Sequence, residues 1–423
     1  MYKDRIAGAD AVSALNKGLG LFSGVLAPEE ISAKRWNLLH EDLSLPTAVL
    51  YKDKILHNLD FMREFVAAYG VRLAPHGKTT MAPKLFAMQL QHGAWGITLA
   101  TAHQVRVAYE HGVRRVLMAN QLVGHANMAL ISSLIEDPEF EYYCLADSAD
   151  LVDQLGAFFL KRGQRLRVLL ELGVMGGRTG VRNDEQMRSV LAALGRWSDS
   201  VVLCGIEMYE GILDNEPAIR EFLQRAIRVT RTLAAEKRFQ RNPILLSGAG
   251  SAWYDVVADA LAAAEFGDAV EIVLRPGCYV THDVGAYRSA QAKILERNPI
   301  AKRMQSGLVP ALHIWAYVQS RPEPERAIVT MGKRDAAFDS GLPTPALRFR
   351  PGNAAPETVT AGWQLSKMND QHAYLQISAG DDLRVGDMLA FDISHPCLTF
   401  DKWRTLPMVD ARYQVVDVIP TFF

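Results

Sequence analysis

The stretch Arg167-Val168-Leu169-Leu170-Glu171-Leu172 decides the fold. Its middle, Val168-Leu169-Leu170, offers no polar side chain to either face, and a strand apolar on both faces belongs in a parallel sheet covered on both sides. Downstream, Asp184–Arg196 has the length of a helix and Val202–Met208 is a second β-rich run, so the three make one strand–helix–strand unit. The unit repeats in both directions. β-rich runs lie at Val71–Ala74, Gly96–Ala100, Arg115–Ala119, Tyr142–Ala146, Arg167–Leu172, Val202–Met208, Ile244–Leu246 and Glu271–Leu274. Helix-length segments such as Met81–His92, Ser148–Lys161, Glu216–Lys237 and Ala252–Glu265 separate them. Eight strands with intervening helices over about 210 residues predict an α/β fold, a (β/α)8 TIM-type barrel rather than an open sheet.

The flanks read differently. Pro46–Tyr51 reads as a strand, and Asp53 as the N-cap of a helix to Tyr69 with Ile55, Leu59, Met62 and Val66 on one face. Ahead of it, Ala11–Leu21 and Pro28–Leu39 are candidate short helices. After Asn298, β-rich runs (Ala311–Val318, Ala327–Thr330, His372–Ile377, Tyr413–Ile419) alternate with turns such as Arg321-Pro322-Glu323-Pro324 and Arg350-Pro351-Gly352. The predicted division is an unassigned extension (residues 1–45), a barrel (46–300) and a C-terminal β-domain (301–423), which strand 46–51 joins.

Composition removes several function classes. The 423 residues are 49% hydrophobic, enough for a large core. Lys plus Arg number 46 against 47 for Asp plus Glu, a balance that creates no field for nucleic acid or an acidic membrane. The four cysteines (Cys144, Cys204, Cys278, Cys397) have no framework spacing, which suggests a reducing compartment. Met1–Asp10 lacks a signal-peptide pattern, and no apolar run reaches the ~18 residues of a membrane helix. The expectation is a soluble cytoplasmic protein.

In a barrel of this kind, function sits at the C-terminal ends of the strands. Ala74-Pro75-His76-Gly77-Lys78-Thr79-Thr80 follows the first strand and places Lys78 there. Such an amine is either a surface charge or, once its pKa is lowered, a nucleophile towards an aldehyde. After strand seven comes Ser247-Gly248-Ala249-Gly250-Ser251, either a tight turn or an anion cradle opening onto a helix at Ala252. Arg275-Pro276-Gly277 in the next loop favours a phosphate site. A lysine and a phosphate site in one barrel mouth suggest pyridoxal 5′-phosphate. Arg178, in Gly176-Gly177-Arg178-Thr179-Gly180, reads as a partner of the pyridine nitrogen or as a rim salt bridge, and Tyr209 as a cofactor neighbour or a rim aromatic. His395 and Cys397, one residue apart on extended chain, can point the same way and bind Zn²⁺, although two ligands are fewer than catalytic zinc usually takes from protein. Cys144 and Cys204 read as inert core thiols.

Taken together, these segments resemble the fold-type III pyridoxal-phosphate enzymes comprising D-serine dehydratases and D-threonine aldolases, related to alanine racemases. The resemblance runs from about Pro46 to the C-terminus. It is carried by PTAVLYKDKILHNL (46–59), APHGKTTMAP (74–83), GGRTG (176–180), GIEMYEG (205–211), SGAGS (247–251), RPGCYVTHD (275–283) and SHPCLTFDKW (394–403). It implies an alanine racemase-like fold with Lys78 as the Schiff-base lysine and Arg178 at the pyridine nitrogen. Tyr209 would lie beside the cofactor, and Gly248, Gly250, Ser251, Gly277, Cys278 and Tyr279 around its phosphate. His395 and Cys397 would be the ligands of zinc or another divalent metal. Aldolases of the family usually carry aspartate where Cys397 stands, so the cysteine favours the dehydratases and zinc. The family's Arg-Pro-His before the lysine is Ala74-Pro75-His76 here, and its Gly-Gly before the phosphate loop is Ser247-Gly248. The site lies between subunits in the family, which implies a homodimer.

The expected reaction is α,β-elimination from D-serine or a related D-β-hydroxy amino acid, giving a 2-oxo acid and ammonia. The rival readings are retro-aldol cleavage of D-threonine to glycine and acetaldehyde, and a non-catalytic pyridoxal-phosphate-binding protein. D-threonine and 3-hydroxyaspartate are alternative substrates.

Overall fold

The computed structural model describes residues 11–423. Strand β1 (Thr47–Tyr51) leads into a helix, Lys52–Tyr69, capped by Tyr51 with Asp53 inside its first turn rather than at the cap. Eight parallel strands follow: β2 (Arg72–Leu73), β3 (Ile97–Leu99), β4 (Arg115–Gln121), β5 (Glu141–Ala146), β6 (Leu166–Leu172), β7 (Val201–Met208), β8 (Ile244–Gly248) and β9 (Val270–Leu274). They are hydrogen-bonded in sequence from β3 to β9, and β9 pairs with β2. The ring closes between β2 and β3, where Trp95 N–H donates to Leu73 O (2.7 Å), Thr98 N–H donates to Pro75 O (2.9 Å), and His76 bridges Thr98. The fold is a (β/α)8 barrel with a separate antiparallel domain, alanine racemase-like.

The two apolar faces of β6 have different destinations. Val168, Leu170 and Leu172 pack outward under the helices, whereas Leu169 joins Ala74, Leu117, Leu145, Val202, Cys204, Leu245 and Val273 inside the barrel. All are nearly fully buried. At roughly 1.5–3 kcal/mol for each large apolar side chain, such layers dominate the stability of the barrel. Between β6 and β7 the register slips: Val168 faces Leu203, but Leu169 faces Gly205. The extra residue reverses the parity of β7 from that point, so Ile206 and Met208 pack outward and Glu207 turns into the barrel mouth beside Glu171.

The C-terminal domain is built on β10 (Leu312–Glu323). One edge of this strand pairs with Met388–Asp392, and the other pairs first with β1 and then with Arg326–Val329. Thus β1 belongs to this sheet. Residues 11–45 do not form the two helices that their apolar residues suggest. Val12–Ser13 pairs with Val25–Leu26, the helix Pro28–Ser32 has five residues, and Arg35 (φ 53°) takes the chain out of helical geometry. Val12, Leu19, Ile31, Trp36 and Leu38 instead cover one face of the C-terminal sheet, against Trp315, Val409 and Val418. Among the described residues no helix is long and apolar enough to cross a membrane.

Candidate active site

One cavity of ≈ 200 Å³ lies at the C-terminal end of the barrel, lined from the barrel side by Lys78, Glu171, Arg178, Glu207, Tyr209 and Arg275, and from the C-terminal domain by His395 and Cys397. Lys78 stands in the 3-10 turn Gly77–Thr79 that follows β2. Gly77 is required there by space, since a Cβ would meet the Phe86 ring at 2.7 Å and Ile97 Cγ2 at 2.9 Å. Burial lowers the pKa of Lys78; the cations of Arg178 and Arg275 act in the same direction, against the opposing effect of Cys397 and Cys278. The neighbouring His76 is held neutral by burial, its pKa well below the usual imidazole range, and its Nδ1 has no partner.

Deeper in the cavity, Arg275 pairs with Glu207 and also donates to Met208 O at 3.0 Å. The pair is 5% and 2% exposed. Burial lifts Glu207 to about 8, with Arg275 opposing and the neighbouring Glu171 reinforcing the shift. Glu171 in turn accepts from Gln121 Nε2 and Thr179 Oγ1, both at 2.5 Å. Glu207 Oε2 and Arg275 Nε have no protein partner. Because buried polar atoms rarely stay unpaired, these atoms are suited to a polar ligand. Arg178 sits higher, its guanidinium 4.7 Å from the centre of the Tyr209 ring.

The glycine-rich loop differs from the expected cradle. Its helix begins at Tyr254 rather than Ala252. The N–H groups of Ala249 and Gly250 donate to Glu210, at 3.1 and 2.7 Å. Ser251 Oγ accepts from Gly277 N and Cys278 N, at 3.3 and 3.2 Å, tying the two loops together. Gly250, Ser251, Gly277 and Cys278 line the cavity, whereas Gly248 and Tyr279 do not. The Tyr279 hydroxyl is buried and accepts from Gln89 at 3.3 Å.

The metal motif is also built differently from the extended chain anticipated. Pro396 is helical (φ −60°, ψ −47°), and Cys397 begins the short helix Cys397–Phe400. Nδ1 of His395 donates to Asp339 Oδ2 at 2.7 Å, and contact with Cys397 lifts the imidazole to about 9. Cys397 Sγ lies 3.5 Å from Thr79 Oγ1, next to Lys78 in sequence, and 3.9 Å from Cys278 Sγ. Cys144 and Cys204 are buried in the barrel, and burial raises both to about 12.

Glu171, Glu207, Glu210 and Asp339 escaped the sequence reading. One signal was present: a glutamate in the otherwise apolar run Val201–Met208, where unpaired charge is rarely buried. Asp339 reaches His395 across 56 residues and left no local trace.

This architecture is that of the fold-type III pyridoxal-phosphate enzymes. The family model "Alanine racemase, N-terminal domain" matches residues 51–276, more than half of the chain, and "Putative serine dehydratase domain" matches residues 311–409. The chain belongs to the alanine racemase N-terminal domain family. A D-threonine aldolase from Arthrobacter sp is 26% identical over 363 residues, 84% of this chain and 86% of that protein. A D-threo-3-hydroxyaspartate dehydratase from Delftia sp. is 27% identical over 247 residues, 57% and 62% of the two chains. Among solved structures, a cysteine-to-alanine mutant of D-threo-3-hydroxyaspartate dehydratase, described as metal-free, superposes with a TM-score of 0.72 at 22% identity, covering 92% of this chain and 99% of that one.

Proposed function

We propose that the protein eliminates the β-hydroxyl of a D-β-hydroxy amino acid, D-serine or a close relative, giving a 2-oxo acid and ammonia. The observation that carries this reading is the placement of the Cys397–His395 pair across one cavity from Lys78.

Pyridoxal 5′-phosphate, when bound, supplies the electron sink for charge at the substrate Cα. The cavity suits it: Lys78 would hold its aldehyde carbon, Arg275 and Glu207 offer unpartnered buried atoms to the ring nitrogen, and Tyr209 and Arg178 border the ring. The burial of Arg275 favours it over Arg178 as the partner of the nitrogen. Gly250, Ser251, Gly277 and the Cys278 backbone would surround the phosphate. Lys78, its pKa lowered by burial, would take the α-proton at Nζ. A divalent metal on His395 and Cys397 supplies Lewis-acid activation of a hydroxyl leaving group. The donor set fits such an ion, since Asp339 fixes the ring of His395 through Nδ1 and leaves Nε2 for coordination.

The homodimer is part of this proposal. Val123, Met175 and Leu398 are large apolar side chains left 40–82% exposed, each within three residues of one that lines the cavity. A second subunit covering that face would bury them.

Retro-aldol cleavage is the second reading, favoured by the length of the match to the D-threonine aldolase. The test is pyruvate release by the cofactor-loaded protein from D-serine and, separately, L-serine, before and after chelator treatment. The proposal expects release from the D-isomer alone, lost with chelator and restored by zinc. Chelator-insensitive release, or none, counts against it.

A further inference from the structure

We infer that Cys278 is a third protein ligand of the metal, so that the ion is held by two thiolates and one imidazole with a fourth position open to the substrate. This rests on the proposed function and sharpens it. Cys278 opens the 3-10 turn Cys278–Val280 after β9, and Cys397 opens the helix Cys397–Phe400 of the other domain. Across 119 residues of sequence their sulfurs stand 3.9 Å apart. A disulfide would hold them at about 2.05 Å. Two thiolates bound at about 2.3 Å to one tetrahedral zinc lie about 3.8 Å apart. The observed spacing, at which one thiol can donate to the other, also matches that of two thiolates on one ion.

Three further observations fix the Cys278 turn and place both sulfurs beside the lysine segment. The backbone N–H of Cys278 is bound to Ser251 Oγ, which anchors the turn and leaves the thiol to project elsewhere. Gly277 holds that turn against the lysine segment, where a Cβ would meet His76 O at 2.5 Å. Thr79 Oγ1 touches both sulfurs, at 3.9 Å from Cys278 and 3.5 Å from Cys397, so the pair flanks the residue next to Lys78. Among the described residues no three His, Cys, Asp or Glu donors stand ready-made around one metal position. Two sulfurs stand together, and His395, in side-chain contact with Cys397, would supply the third donor.

The consequences are a ligand count and a metal preference. Three protein ligands plus one open position is the usual arrangement of catalytic zinc, which His395 and Cys397 alone do not reach. Two thiolates select a thiophilic ion such as zinc over manganese or magnesium.

Zinc K-edge absorption fine structure of the cofactor-loaded, zinc-loaded protein counts the sulfurs directly, without any substitution. The expected result is two sulfur scatterers at about 2.3 Å, falling to one in Cys278→Ser, with zinc affinity at least about tenfold weaker by chelator competition. Retained cofactor absorbance in that variant shows that the pyridoxal-phosphate site has survived. One sulfur in both proteins overturns the role of Cys278 and leaves the elimination reading standing. No stoichiometric zinc in the wild type overturns both.

Discussion

Replacing Arg275 by methionine tests the buried charge pair beneath the cavity. Arg275 and Glu207 are 5% and 2% exposed, and burial raises the carboxyl to about 8. A carboxyl whose folded pKa exceeds its unfolded value holds a proton that the unfolded chain releases. Its contribution is therefore complete below the unfolded carboxyl range and declines as pH rises towards the folded pKa. In the intact protein that decline levels off near pH 8, because the ionised Glu207 then faces Arg275. In Arg275→Met it continues, since the carboxyl must keep its proton or become a lone buried charge. Below pH 8 the variant loses the hydrogen bonds of the guanidinium to Glu207 and Met208 O, about 1–3 kcal/mol. Above pH 8 the deficit grows by about 1.4 kcal/mol per pH unit, towards the ~3–5 kcal/mol expected for breaking a buried pair. Guanidinium chloride unfolding of the cofactor-free protein, followed by fluorescence and circular dichroism at about pH 6 and pH 9.5, reads both regimes. Adding Glu207→Gln to the variant should abolish the pH dependence. An equal deficit at both pH values, or none at either, would refute the reasoning.

Three further substitutions probe separate parts of the site. Lys78→Ala should abolish turnover and covalent cofactor attachment, read as the absence of a cofactor-labelled lysine peptide after borohydride reduction. Asp339→Asn should weaken metal binding or activity by about 10–100-fold while sparing the cofactor, the effect of removing a carboxylate that orients a ligating histidine; titration with zinc measures it. Glu210→Ala leaves the N–H groups of Ala249 and Gly250 without their carboxylate, at a cost of about 1–3 kcal/mol for each that stays buried and unpaired. Cofactor affinity by fluorescence quenching should fall, and Glu210→Gln should recover part of it.

The barrel was legible because its strands are buried on both faces. Leu169 fills the interior while Val168 and Leu170 meet the helices, and no other sheet type demands such a run. Lys78 was legible because a charge at a strand end, beside proline and glycine, is out of place unless it is used. Glu207 was hidden by the slip opposite Leu169. Strict alternation from Val202 and Cys204 would send Ile206 inward and Glu207 out beneath the helices, and only the register of a neighbouring strand reverses this. Trp36 and Leu38, within the stretch read as a short helix, are apolar because they cover the C-terminal sheet, packed with Trp315 more than 270 residues away in sequence. For Cys278 the motif fixed the backbone position, but the direction of the thiol depends on Cys397, in the other domain.

The central claim is that the β-substituent leaves from a D-amino acid whose Cα–Cβ bond stays intact. Its most direct test gives the cofactor- and zinc-loaded protein D-serine, D-threonine and D-threo-3-hydroxyaspartate in turn and quantifies ammonia, 2-oxo acid and glycine together. Elimination predicts ammonia and 2-oxo acid in equal amounts, pyruvate from D-serine and 2-oxobutyrate from D-threonine, without glycine. Glycine with an aldehyde and no ammonia would contradict the account and identify the same cavity as that of an aldolase.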